Sequence, residues 1–122
     1  MSAGHVHVAD GGIGGLATAT GLRRLGQRFT VFEAASGGGH WGACLGVQSN
    51  AELALRALGV AGAVPESGMS VHDHVPRSWK GGALARWSRA QIGHGVGCPS
   101  VTVSRQAQLE ALRSAVPPSR RC

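Results

Sequence analysis

Asp10, Gly12, Gly15 and Glu33 are the residues of this 122-residue chain whose types and spacing could do chemistry. The first three occupy the places of the pattern G-x-G-x-x-G, with Asp10 where its first glycine would stand and extra glycines at Gly11 and Gly14. Residues without side chains let backbone N–H groups approach an anion. A helix beginning there adds the positive end of its dipole. Glu33 lies eighteen positions after Gly15, where a carboxylate can accept from ribose hydroxyls. Together they suit the diphosphate and sugar of a nucleotide.

For those groups to meet, a strand must deliver the chain to the turn, a helix must leave it, and a second strand must return. His5 to Ala9 reads as the first strand. Ile13 to Leu25 reads as the helix, with Ile13, Leu16, Ala17, Leu22 and Leu25 on an apolar side and Gly26 as its stop. Phe29, Val31 and Phe32 form the second strand. The unit is a βαβ crossover fit for the adenine dinucleotide half of FAD or NAD; glycine-rich turns in an ordinary βαβ unit are the plainer reading. Asp10 tolerates unusual turn dihedrals, but a carboxylate about 4 Å from a phosphate costs on the order of 1 to 4 kcal/mol. Two orientations are open to it. It caps the helix and competes for the anion site, or it points away at little cost. Weaker cofactor binding than a glycine would allow is expected.

The composition fits one domain with a modest core: 43% of the residues are hydrophobic. A net charge of +6 would suit a nucleic-acid partner, but the basic residues are scattered. Only five Phe and Trp residues accompany them, in no basic stripe, so nucleic-acid binding is not expected. Three cysteines without metal spacing argue for reduced thiols in a cytoplasmic protein. No leader sequence is read at the N-terminus, and no apolar run approaches the roughly 20 residues that cross a bilayer.

Further along, Ser36 to Gly46 reads as a glycine-rich loop leading into a short extended piece. Ser49 and Asn50 are N-cap candidates for a helix over Ala51 to Leu58, stopped by Gly59. Met69 to His74 and Ala83 to Trp87 predict a hairpin around Lys80, Gly81 and Gly82. Val101 to Val103 predicts a strand, and Ser104 a cap for a helix over Gln106 to Val116, stopped by Pro117 and Pro118.

Three stretches in this order carry a family resemblance: ADGGIGGLATATGLRRLG followed by TVFEAA, then GACLGVQSNAELALRALGV, then VSRQAQLEAL. The chain resembles the N-terminal part of the FAD-dependent aromatic-ring monooxygenases, the group that includes salicylate hydroxylase. The resemblance implies an α/β fold, a Rossmann-like FAD-binding βαβ unit with an additional β-hairpin and helices, truncated. Residues 1–116 would be a partial FAD-binding domain and 117–122 a tail. It implies that Gly12, Gly14 and Gly15 line the pyrophosphate, that Glu33 binds the adenosine ribose, and that Arg105 contacts the phosphate-ribityl region of FAD. A guanidinium suits the last role because it stays charged and offers several donors. A solvated helix-start residue is the alternative for Arg105, although a cation there is unfavourable without an anion nearby.

The implied activity is hydroxylation of a small aromatic molecule with NADH or NADPH and O2. No catalytic side chain is identifiable. The later Asp-Gly and Gly-Asp motifs and the substrate-binding sheet of such enzymes are absent from these residues. The expected chain is therefore an FAD-binding segment, prone to aggregation and not active alone. A non-catalytic dinucleotide-binding or interaction module is the alternative. Other features receive plainer readings. His72 and His74 can share a strand face, but no third metal ligand is placed. His5 and His7 read as edge or packing residues, Trp79 and Trp87 as hairpin packing, and Cys44 as a small buried thiol. His40 and Trp41 read as part of a surface loop.

Overall fold

A computed structural model describes residues 4–35, 42–60, 68–88 and 100–117. Strand β1 (His5–Val8) leads through the turn to helix α1 (Ile13–Arg24), which returns the chain to β2 (Arg28–Val31). β1 and β2 pair in parallel with His5 opposite Arg28 and Val8 opposite Val31. The expected βαβ crossover is therefore present. Parallel pairing forces the intervening chain to cross over, and a helix is the usual way to do so.

Alternation explains which side of the strands faces inward. Phe29 and Val31 of β2 are buried, while Arg28 is exposed and Thr30 half-buried. On α1 the buried residues are Gly15, Leu16, Ala19 and Thr20. The buried face differs from the expected one: Ile13, Ala17 and Leu22 pack beside the core, but Leu25 is 77% exposed. Leu25 lies past the last helical turn, where the helical period no longer aims it. Thr20 enters the interior without an unmet hydroxyl because its Oγ1 donates to the Leu16 carbonyl at 2.8 Å.

Gly26 at φ +69° stops α1, and Gly59 at φ +74° stops the next helix in the same way. At each end the following N–H reaches back to close the turn, Gln27 to the Leu22 carbonyl and Val60 to that of Leu55.

The second half has its own antiparallel sheet. β3 (Cys44–Val47) and β4 (Met69–Ser70) lie on either side of β7 (Val101–Ser104). Helix α2 (Ser49–Ala57) follows β3, and helix α3 (Arg105–Ser114) follows β7. Phe29 and Val31, Val47, Val101 and Val103, and Leu109 and Leu112 from these elements form one apolar core with Leu16 and Ala19 of α1. Arg23 Nη1 donates to the Ala115 carbonyl at 2.7 Å, fastening the C-terminal ends of α1 and α3 together.

Three expectations are corrected. Residues 36–41 of the expected glycine-rich loop lie outside the described residues, while its last residues, Cys44 to Gly46, belong to β3, and Cys44 is exposed rather than buried because it falls at the outward end of the strand. Helix α2 begins at Ser49 with Gln48 as its cap residue, so Ser49 and Asn50 are already helical, and the Gln48 side chain makes no capping bond. The run from Met69 to His74 divides between two sheets. Met69 and Ser70 pair with β7, whereas β5 (Asp73–His74) pairs with β6 (Trp87–Ser88) to close the expected hairpin.

Candidate dinucleotide-binding site

The turn between β1 and α1 is shaped by backbone crowding. A Cβ on Gly15 would fall 1.8 Å from the Asp10 carbonyl oxygen, so only glycine lets the helix start this close to the end of the strand. A Cβ on Gly11 would fall 2.6 Å from Glu33 Oε2. Gly14 is different: its nearest neighbour would be Asp10 Oδ2 at 3.6 Å, an ordinary contact.

Two carboxylates meet the amides of this turn. Asp10 accepts twice, at Oδ1 from Gly12 N–H at 2.7 Å and at Oδ2 from Gly15 N–H at 2.9 Å. Glu33 accepts from Gly11 N–H at Oε2, 3.0 Å, and from Ala35 N–H at Oε1, 2.8 Å. Of the two orientations considered for Asp10, the capping one is found. No residue other than glycine has positive φ among the described residues, so Asp10 takes this place without left-handed backbone strain.

The structure brings Gly12, Gly14, Gly15 and Glu33 to one turn. Arg105 is half-buried as the first residue of α3, with its N–H donating to the Ala43 carbonyl at 3.0 Å. Ser104 caps that helix as expected, accepting from Ala107 N–H at 3.1 Å. Because the C-terminal ends of α1 and α3 are fastened, Gly12 and Arg105, both at N-terminal helix starts, lie at the end of the helix pair away from that bond. No hydrogen bond or ion pair joins Arg105 to the turn among the described residues. Gly11 is the site residue that sequence reasoning passed over as an extra glycine. The signal for it was two adjacent glycines where the strand ends, with the acid after β2 needing a donor.

The remaining candidates separate from this site. His5 Nε2 and Thr30 Oγ1 are hydrogen-bonded at 2.9 Å, and His7 stacks on Phe32 with centroids 5.6 Å apart. His74 stacks on Trp87 at 4.6 Å, so Trp87 packs within the hairpin as expected. Trp79 does not: it is 91% exposed, with the Lys80 ammonium 5.1 Å from its ring, because it sits at the hairpin tip beyond any facing strand. Asp73 pairs with Arg86 at 3.5 Å. No group of three or more His, Cys, Asp or Glu residues is placed to share a metal ion among the described residues. His40 and Trp41 lie outside them. No described helix is long and apolar enough to cross a membrane.

Known proteins are similar to this chain in sequence and in fold. The chain is 35% identical over 111 residues to the aurachin C monooxygenase/isomerase of Stigmatella aurantiaca, which covers 91% of the chain and 29% of that relative. It is 31% identical over 117 residues to the 3-amino-4-hydroxybenzoate 2-monooxygenase PtmB3 of Streptomyces platensis, covering 93% of the chain and 29% of the relative. Among solved structures, Klebsiella pneumoniae HpxO, complexed with FAD and uric acid, superimposes with a TM-score of 0.76 at 26% identity over 92% of this chain and 30% of its own. This chain matches the N-terminal part of the FAD-dependent aromatic monooxygenases. The p-nitrophenol 4-monooxygenase PnpA of Pseudomonas putida DLL-E4 shares the fold with a TM-score of 0.81 at 21% identity, over 92% of this chain and 28% of its own. The chain thus spans a little under a third of the length of such monooxygenases. No family model matches it.

Proposed function

We propose that the chain is the FAD-binding segment of a flavin-dependent monooxygenase and grips the ADP half of the cofactor at the β1–α1 turn. The observation that carries this reading is the convergence of the Gly12 and Gly15 amides on a single carboxylate. Amides aimed at one anion at a helix start are what a diphosphate requires. The fit has one condition, that the side chain of Asp10 turn aside. Gly12, Gly14 and Gly15 would then line the diphosphate, and Glu33, already held beside the turn, would accept from the adenosine ribose. Arg105 would supply a cation toward the phosphate-ribityl region.

When bound, FAD would supply the redox chemistry between NADH or NADPH and O2. The whole protein's activity in this reading is hydroxylation of a small aromatic molecule, in the cytoplasm. The residues described here hold and orient the cofactor. A second reading, a dinucleotide-binding or interaction module without turnover, is favoured by one observation: Asp10 already occupies the amides the cofactor needs.

Titration of the purified chain with FAD, followed by flavin fluorescence and the visible spectrum, tests the first reading. Saturable one-to-one binding is expected. Folded protein that leaves the flavin spectrum unchanged at millimolar FAD overturns it.

A further inference from the structure

Helix α1 has neither an acid in its first turn nor a side-chain bond at its cap residue, Gly12. Each of the other two described helices has one of the two. Glu52 lies in the first turn of α2, and the Ser104 side chain caps α3. A bare helix start of this kind leaves N–H donors unsatisfied and partial positive charge unopposed. Asp10 corrects both from outside the helix. Its two oxygens take Gly12 N–H and Gly15 N–H at 2.7 and 2.9 Å, distances typical of charge-assisted hydrogen bonds.

We infer that the Asp10 carboxylate is a resident anion that closes the diphosphate cradle in the unliganded chain and must swing out before a nucleoside diphosphate can enter. This rests on the dinucleotide reading above and concerns how that site is regulated. The geometry requires the competition. Each amide has one hydrogen, and both hydrogens are already directed at Asp10. A diphosphate that took them would also stand within a few ångströms of the displaced carboxylate, and like charges there repel. Backbone strain does not push the side chain out, because Asp10 is not in the left-handed region. Asp10 therefore stabilises the unliganded helix start and opposes the anionic ligand through the same two bonds. A cofactor-loaded chain of this kind is expected at high nucleotide concentration, or where a neighbouring cation draws the carboxylate away.

The test compares wild type, Asp10→Gly and Asp10→Asn, each titrated calorimetrically with ADP and with FAD and each melted without ligand. Asp10→Gly is expected to bind both ligands at least tenfold tighter, about 1.4 kcal/mol. It is also expected to melt at a lower temperature than wild type when empty. Asp10→Asn, uncharged but of the same shape, is expected between the two in affinity. Amide resonances of Gly12 and Gly15 should move in Asp10→Gly before any ligand is added. Equal affinities in wild type and Asp10→Gly overturn the inference and leave the FAD reading standing. Folded wild type and Asp10→Gly that both ignore ADP and FAD overturn the inference and the FAD reading together. Should Asp10→Gly not fold, Asp10→Asn decides: tighter binding than wild type supports the resident anion, and unchanged binding overturns it.

Discussion

The β1–α1 turn and the hairpin closed by β5 and β6 both rely on glycine, but for different reasons. At the turn, Gly15 is required because a side chain would strike the Asp10 carbonyl, and Gly11 because Glu33 lies against it. At the hairpin tip, Gly81 is needed for its own dihedral, φ +87°, and a Cβ there would meet nothing within 4 Å. The turn stands over a core that includes Leu16, Phe29 and Val31, whereas the hairpin carries Trp79 and Leu84 into solvent. One glycine set permits close approach of two pieces of backbone; the other permits only a local bend. Tightness enforced by distant atoms is what makes the first region suitable for ligand binding, since it fixes where the amides point.

Alanine substitution should expose that difference most at Gly15. Gly15→Ala is expected to cost about 3 kcal/mol in urea unfolding, the upper part of the usual range for overpacking, because the obstructing atom is backbone. It should also abolish FAD binding. Gly14→Ala, one residue earlier and with room for the methyl, is expected to keep or raise stability by up to about 1 kcal/mol through helix propensity. If the two variants lose stability equally, the crowding at Gly15 does not govern the turn.

A smaller effect is expected at α3. Ser104→Ala removes its side-chain cap and should lower stability by about 1 kcal/mol, read as a shift in the urea midpoint without a change of slope. The smallest belongs to the hairpin tip. Trp79→Ser should change stability by less than about 0.5 kcal/mol, because the ring has little to pack on. A larger loss would show that the hairpin is held by more than its local bonds.

The same contrast decides what could be read from sequence. The bounds of β1, α1 and β2 were legible to within about a residue because glycine stops, apolar alternation and the acid at Glu33 are all local signals. Ser104 was legible as a cap for the same reason. The division of Met69 to His74 between two sheets was not, because it depends on β7, some thirty positions away, capturing Met69 and Ser70. The outward position of Cys44 depends on where β3 begins, which no nearby residue marks. Asp10 was legible as a problem but not as an answer. Both orientations are compatible with its neighbours in the chain, and only the positions of the Gly12 and Gly15 amides decide between them.

The bond from Arg23 to the Ala115 carbonyl joins positions ninety-two residues apart. A ribosome adding about 5 to 20 residues per second would leave α1 waiting roughly 5 to 20 seconds for α3. Through that interval Leu16 and Ala19 lack part of the cover they have in the finished fold. The nascent chain is then a natural client for chaperones that shield apolar surface, and slowing translation just before α3 would lengthen its exposure.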